Sequence, residues 1–354
     1  MQFPRILLYP FSIIYGIITF VRNKFYDWGI FKSTSFSIPI ISVGNLEVGG
    51  SGKTPMVEYL IRLLNDDFKL ATLSRGYGRK TKGFLWVKPD DLASNTGDEP
   101  LQIKLKFQDI SVAVCENRVF GINKIQQQHD LILMDDAFQH RAVKPSLSLL
   151  LFDYHQIQKP KILLPAGNYR EAFSGRKRAD IIVITKCPNQ LSVSEMSVLD
   201  KQMRLHPHQK LFFSGISYAK ELSAVFKDDK LSLAAINPNT QVLLLTGIAK
   251  TAPLVQELKK HSKHIIHHAY ADHHLFSQKN MLKLVSDFEA LPGDDKIILT
   301  TEKDAVRLNA GNFKSMIQNL PIYAWPIEIN FLANRKTEFD NIIKKYARSN
   351  QRIR

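Results

Sequence analysis

Residues 47–54 read EVGGSGKT, and Gly49, Gly50 and Gly52 let successive main-chain N–H groups turn toward a single phosphate. Lys53 can then reach β- and γ-phosphates and the Thr54 hydroxyl can ligate Mg2+, with Ser51 and Pro55 completing a nucleotide-binding set. Glu47 departs from the GxxxxGK[ST] pattern, standing where its first glycine is expected. A phosphate loop also needs a carboxylate for the metal, and Asp135-Asp136 supply it, directly after the apolar run LILM. A strand there delivers them to its C-terminal edge, where open α/β sheets bind ligands. A structural glycine turn and a solvated acidic turn are the alternatives; finding both features together favours the nucleotide site.

GTPases and partitioning ATPases share these features. The residues after the apolar run at 181–184 separate them: Thr185-Lys186-Cys187-Pro188 has proline where a guanine-reading [NT]KxD sequence has aspartate. No carboxylate then pairs with the guanine N1 and N2 donors, so ATP is the better fit.

These groups need strands to present them. The β-branched run SIPIISV (37–43) precedes the glycine loop, and an amphipathic segment at 56–64 follows it: strand, loop, helix. Further apolar runs at 69–73, 111–115, 131–134, 147–152 and 181–184 have the rhythm of a mostly parallel sheet with crossover helices. A second set at 242–246, 265–268, 296–300 and 322–325, with helices at 253–260 and 278–291, indicates a smaller α/β unit. The expected fold is α/β: a P-loop NTPase-type, mostly parallel sheet with flanking helices, a second smaller α/β domain and an N-terminal membrane-associating helix. The expected divisions are 1–30 (interfacial helix), 31–212 (P-loop kinase domain), 213–330 (smaller domain) and 331–354 (basic helix or tail).

The chain has 354 residues, 44% hydrophobic and 23% charged, which suits two compact units sharing a cleft. A formal net charge of +15 calls for a polyanionic partner, and nucleotide, anionic lipid and nucleic acid all qualify. Aromatic residues interleaved in a basic stripe would mark nucleic acid, and no such stripe or reading module is present, so no nucleic-acid partner is expected. Cys115 and Cys187 lack CxxC spacing and read as small buried hydrophobes. His261, His264, His267 and His268 cluster without the Cys or carboxylate support of a zinc site.

The N-terminus is apolar from residue 6 to 21, flanked by Arg5, Arg22 and Lys24. This run is short of the roughly 20 residues that span a bilayer, and Pro10 and Gly16 weaken it further. Two readings stay open: a helix lying in the headgroup region, anchored by Tyr9, Tyr15, Tyr26 and Trp28, or a helix packed in the core.

The glycine loop, Leu73-Ser74-Arg75-Gly76-Tyr77-Gly78-Arg79, Gly97-Asp98-Glu99-Pro100, Asp135-Asp136-Ala137-Phe138-Gln139-His140, Leu164-Pro165-Ala166-Gly167 with Arg170-Glu171, Asp272-His273 and Thr300-Thr301-Glu302-Lys303-Asp304 form seven blocks in order. Together they resemble the tetraacyldisaccharide 4′-kinase family of lipid A biosynthesis over roughly residues 1–330. The resemblance implies transfer of the ATP γ-phosphoryl group, with Mg2+, to the 4′-hydroxyl of a lipid-borne glucosamine disaccharide 1-phosphate. It places the protein peripherally at the cytoplasmic face of the bacterial inner membrane, on an anionic surface, with no obligate protein partner evident.

The same resemblance makes Asp98 the residue that accepts or orients the hydroxyl proton and His273 its partner, with Lys53 assisting. Asp272 and His274 stay open as substitutes, because the histidine is doubled. The resemblance also puts Arg75, Tyr77, Arg118, His140, Arg170 and Glu171 on the substrate side, where arginines suit the 1-phosphate and Tyr77 a sugar face. Each of these six has a plain alternative as a loop-fixing residue. The competing functions are a regulatory or metallochaperone-like P-loop NTPase and a nucleic-acid-associated ATPase.

Overall fold

A computed structural model of the chain describes residues 5–272, 274–309 and 313–349. Among these, two sheets carry the architecture. The larger is built from β1 (Ile40–Asn45), β2 (Leu70–Ser74), β3 (Leu85–Trp86), β4 (Ser111–Val114), β5 (Leu131–Asp135), β6 (Leu147–Asp153), β7 (Ile181–Thr185) and β8 (Lys210–Tyr218). The smaller holds β9 (Glu221–Ala224), β10 (Lys230–Ser232), β11 (Gln241–Thr246), β12 (His264–Ala269), β13 (Lys296–Thr301) and β14 (Ile322–Trp325), after which β15 (Ile327–Phe331) returns to the larger sheet. The larger sheet runs β15-β8-β7-β6-β1-β5-β2-β4-β3, antiparallel only at the β15 and β3 edges. The smaller runs β10-β9-β14-β13-β11-β12, parallel from β14 to β12.

The apolar runs become central strands because helices cover both faces, which removes the need for polar alternation. Ile41 and Val43 of β1 point to one face, packing with Leu60, Ile61 and Phe339, while Ile40 points to the other with Ile122 and Ile132. The mixed α/β fold with a mostly parallel sheet is as expected. The segment boundaries are displaced. β8 runs through residue 212 and pairs with β7, so the chain leaves the larger sheet only after Tyr218. The segment expected as a basic helix or tail forms the helix Lys336–Ser349, whose Phe339, Ile343 and Ala347 are buried in the larger sheet's core. Its basic residues mark the outer face of an amphipathic helix, and the charge run hid the buried stripe.

The helix Tyr9–Asp27 inverts the usual rule: its one buried residue is Ser12, whereas Phe11, Ile13, Ile14, Ile17, Ile18 and Phe20 face outward, Ile13 at 63% exposure. The core-packed reading therefore does not hold. The polar side of the helix is its docking side. Ser12 Oγ donates to Leu163 O (3.0 Å) and accepts from Ala166 N (2.9 Å), and Tyr15 Oη donates to Arg170 O (2.7 Å). Arg22 donates to Gln139 O at 2.9 Å. Among the described residues no helix is long and apolar enough to cross a membrane.

Candidate active site

The glycine loop leaves the C-terminal end of β1 and enters the helix Lys53–Leu64. Gly49 and Gly52 have φ of +108° and +84°, a conformation that costs glycine little and other residues more. Gly52 occupies the N-cap without a side-chain hydrogen bond to the first turn, so the helix keeps donor capacity and positive dipole for an anion. Pro55 lies in that first turn, where its missing N–H removes no intrahelical bond. Ser51 is buried and its Oγ has no hydrogen-bond partner among the described residues.

Two segments brace the loop. Thr185 Oγ1 donates to Ser51 O (2.8 Å), and Lys186 donates to Gly50 O while pairing with Asp153 (3.2 Å). Lys186 is thus spent beneath the phosphate loop. Burial opposes ionisation of Asp153, but Lys186 and Lys250 hold its carboxyl low. On the other side Val48 N donates to Asn168 O (2.7 Å), and Arg170 N to Leu46 O (2.7 Å). Glu47, the departure from the pattern, is buried and accepts the Tyr169 hydroxyl at 3.0 Å. Burial pushes its carboxyl up to about 7, with the Tyr169 hydrogen bond opposing. A glycine at 47 would offer Tyr169 no side-chain acceptor.

Asp135 ends β5, adjacent to β1, and Asp136 follows it directly. Asp136 has φ +46°, in the left-handed region that aspartate enters more readily than most residues. Its Oδ1 lies 3.6 Å from Lys53 Nζ, and its two oxygens accept from Arg170 Nη1 at 2.8 and 3.0 Å. The pair is split electrically. Burial, then Glu99, pushes Asp135 up to about 7, whereas at Asp136 burial is outweighed by Lys53 and Arg170, which hold it low. Asp135, Asp136 and the intermediate-exposure Thr54 suit a hard, oxygen-seeking divalent cation.

Asp98 begins the helix Asp98–Lys106. Gly97 before it has φ +96°, and a Cβ there would sit 3.0 Å from Tyr77 O; one on Gly76 would sit 2.8 Å from Thr96 O. Close backbone approach therefore brings the SRGYGR and GDEP blocks together. Asp98 Oδ2 accepts from Arg307 Nε (2.9 Å) and Nη2 (2.7 Å), a partner the motif reading missed. Its signal was three residues past the Thr300–Asp304 block, at helical i,i+3 spacing from Asp304. His273 lies outside the described residues. His274 stacks on Tyr270 (ring centroids 4.5 Å) and pairs with Asn280 at 3.1 Å.

Of the six expected substrate residues, the structure brings Arg75, Arg118 and His140 together electrostatically. Arg118 is 3% exposed, its Nε has no partner among the described residues, and burial lowers its pKa to about 10. His140 Nε2 is likewise buried without a partner among the described residues, and burial, Arg118, Arg22 and Arg75 hold the ring neutral, down to about 4. Arg75 itself is exposed, and Tyr77 stands 81% exposed at its turn. Glu171 is apart from these: it accepts from Arg178 (2.8 Å), Gln139 (3.1 Å) and Asn23 (3.1 Å). The histidines at 267 and 268 have separate partners, Thr246 Oγ1 and Asp287, each at 2.8 Å. Cys115 and Cys187 are buried.

Comparison with known proteins places this geometry. The profile of the family described as tetraacyldisaccharide-1-P 4′-kinase matches residues 4–348. A tetraacyldisaccharide 4′-kinase of Phocaeicola vulgatus is 45% identical over 98% of this chain and 96% of that relative. One from Flavobacterium johnsoniae is 42% identical over 99% of both chains. The crystal structure of an LpxK from Aquifex aeolicus in complex with ATP is similar with a TM-score of 0.75 and 27% identity, covering 97% of this chain and 99% of that one. The chain belongs to the tetraacyldisaccharide-1-phosphate 4′-kinase family.

Proposed function

We propose that this protein transfers the γ-phosphoryl group of ATP to the 4′-hydroxyl of a tetraacylated glucosamine disaccharide 1-phosphate, giving a bis-phosphorylated lipid A precursor. The observation that carries the reading is the meeting of the glycine loop, Lys53 and Asp136 at one sheet edge, Lys53 Nζ lying 3.6 Å from the carboxylate. The open helix N-terminus and the buried, unpartnered Ser51 Oγ fit a nucleotide phosphate. Gly49, Gly50, Ser51, Gly52, Lys53, Thr54 and Pro55 form that cradle.

Thr54, Asp135 and Asp136 would hold Mg2+, which neutralises charge on the phosphate oxygens when bound. Lys53 draws the transferring group into line. Asp98 takes the proton of the 4′-hydroxyl as its oxygen forms the new bond to phosphorus and the bond to the ADP oxygen breaks. His273 is its proposed partner. Arg118, Arg75 and the neutral His140 receive the 1-phosphate: the arginines supply charge, and the unpartnered His140 Nε2 supplies a hydrogen bond. Tyr77 meets a sugar face, and Arg170 steadies Asp136 at the lipid side. Glu171, saturated by protein partners, braces the docked N-terminal helix.

The outward apolar face of the helix Tyr9–Asp27, with basic flanks, lies in an anionic bilayer surface and brings the acceptor lipid to the site. ATP supply sets the cytoplasmic face of the inner membrane as its location, held peripherally. The test is Asp98→Asn, read by phosphate transfer and by ATP-Mg2+ thermal shift. Transfer should collapse with the shift retained; transfer at the unsubstituted rate would remove Asp98 from this role.

A further inference from the structure

We infer that Arg307 is a positioning residue for phosphoryl transfer, reaching from the smaller sheet to fix the Asp98 carboxylate for the incoming hydroxyl. This rests on the proposed role of Asp98. The guanidinium is nearly buried and engages both sides at once. Nε and Nη2 donate to Asp98 Oδ2 at 2.9 and 2.7 Å, while Nη1 donates to Asp304 Oδ1 (2.9 Å) and Gly247 O (3.0 Å).

Asp304 is itself held by the smaller sheet. It is fully buried, and its Oδ2 accepts from Gly247 N (2.9 Å) and Thr301 Oγ1 (2.8 Å), at the C-terminal ends of β11 and β13. A Cβ on Gly247 would stand 3.0 Å from Asp304 Oδ1 and 3.4 Å from His274 Cβ, so this packing also abuts the segment expected to partner Asp98. The orientation of Asp98 is thereby referred to the smaller sheet.

A purely adhesive role explains less. Lys106, the last residue of the helix that Asp98 begins, already joins it to the helix Glu302–Asn309 that carries Arg307, through Glu302 at 2.5 Å. A buried ion pair is a poor adhesive compared with apolar packing, because desolvation consumes most of its attraction. What Arg307 adds is a planar fork closing on one carboxylate oxygen, which fixes direction as well as distance and which lysine cannot reproduce.

Arg307→Lys keeps the charge beside buried Asp304 and loses the fork. With thermal unfolding used to confirm a folded protein, kcat should fall about 10- to 100-fold, the range of a small misplacement of a reacting group. KM for ATP should stay within about twofold, since nucleotide binding lies on the glycine loop. Single-turnover transfer of labelled phosphate should show Asp98→Asn/Arg307→Lys no slower than Asp98→Asn alone. A folded Arg307→Lys at the unsubstituted kcat overturns the inference, as does a loss that multiplies fully with that of Asp98→Asn. If Asp98→Asn alone turns over normally, it is the assignment of Asp98 that fails.

Discussion

One nitrogen of Arg170 spans both oxygens of Asp136, at 2.8 and 3.0 Å. The main-chain oxygen of the same arginine accepts the Tyr15 hydroxyl from the outward-facing helix, so one residue joins the apolar surface to the sheet edge that carries Asp136. Arg170→Ala would leave Asp136 with Lys53 at 3.6 Å and free to rotate. Turnover on the lipid acceptor should fall roughly tenfold or more, as when one preorganised electrostatic contact is removed. The ATP thermal shift should persist. Unchanged turnover would separate Arg170 from the chemistry.

The same linkage changes how the membrane reading is tested. Deleting residues 1–28 would remove the apolar face but also the Ser12 and Tyr15 contacts to the 163–171 segment. Replacing Ile13 and Ile17 by aspartate alters only exposed positions. The double variant should bind anionic vesicles more weakly by about 2 kcal/mol or more, since two aliphatic side chains no longer enter the bilayer surface. Its ATP response should be unchanged. Vesicle partitioning equal to that of the unsubstituted chain would contradict the interfacial role.

Glu47 gives a prediction in pH. Its folded-state carboxyl sits at about 7, above the ordinary 4.5, so the folded protein holds a proton there that the unfolded chain releases. The stability this confers is complete below about 4.5 and is lost as pH rises through 7. Glu47→Gln removes that loss while keeping an acceptor for Tyr169. The variant should gain on the unsubstituted protein as pH rises, by on the order of 2 kcal/mol at about pH 8. Thermal unfolding at about pH 5 and about pH 8 reads the difference. A gap that does not widen with pH counts against a buried, proton-holding Glu47.

Thr185-Lys186-Cys187-Pro188 predicts nucleotide choice. Thr185 and Lys186 bind the main chain of Ser51 and Gly50, so this segment supports the loop and offers no side-chain carboxylate to a guanine. ATP-Mg2+ should raise the melting temperature more than GTP-Mg2+ at equal concentration. A larger response to GTP would overturn the ATP assignment.

The parallel sheet and the phosphate loop were legible because their signals are local: continuous β-branched runs, glycines at fixed spacing, and acids directly after a strand. Contacts made by side chains far apart in sequence were not. Arg307 and Asp98 are 209 residues apart, and nothing near either one announces the other. Glu47 looked like a lapse in a motif until Tyr169 was seen donating to it. Glu171 sits in a motif block, yet its Arg178, Gln139 and Asn23 partners explain it without a substrate. β15 returns to β8 after the chain has built a second sheet, and short edge strands carry too few residues to reveal such a return.

The most direct test follows γ-labelled ATP, with Mg2+, incubated with the protein and a tetraacyl disaccharide 1-phosphate in detergent micelles. The account predicts label in the lipid fraction, on the 4′ position, at a rate that collapses in Asp98→Asn. A folded, nucleotide-bound protein that leaves the lipid unlabelled, or hydrolyses ATP regardless of the lipid, would contradict it.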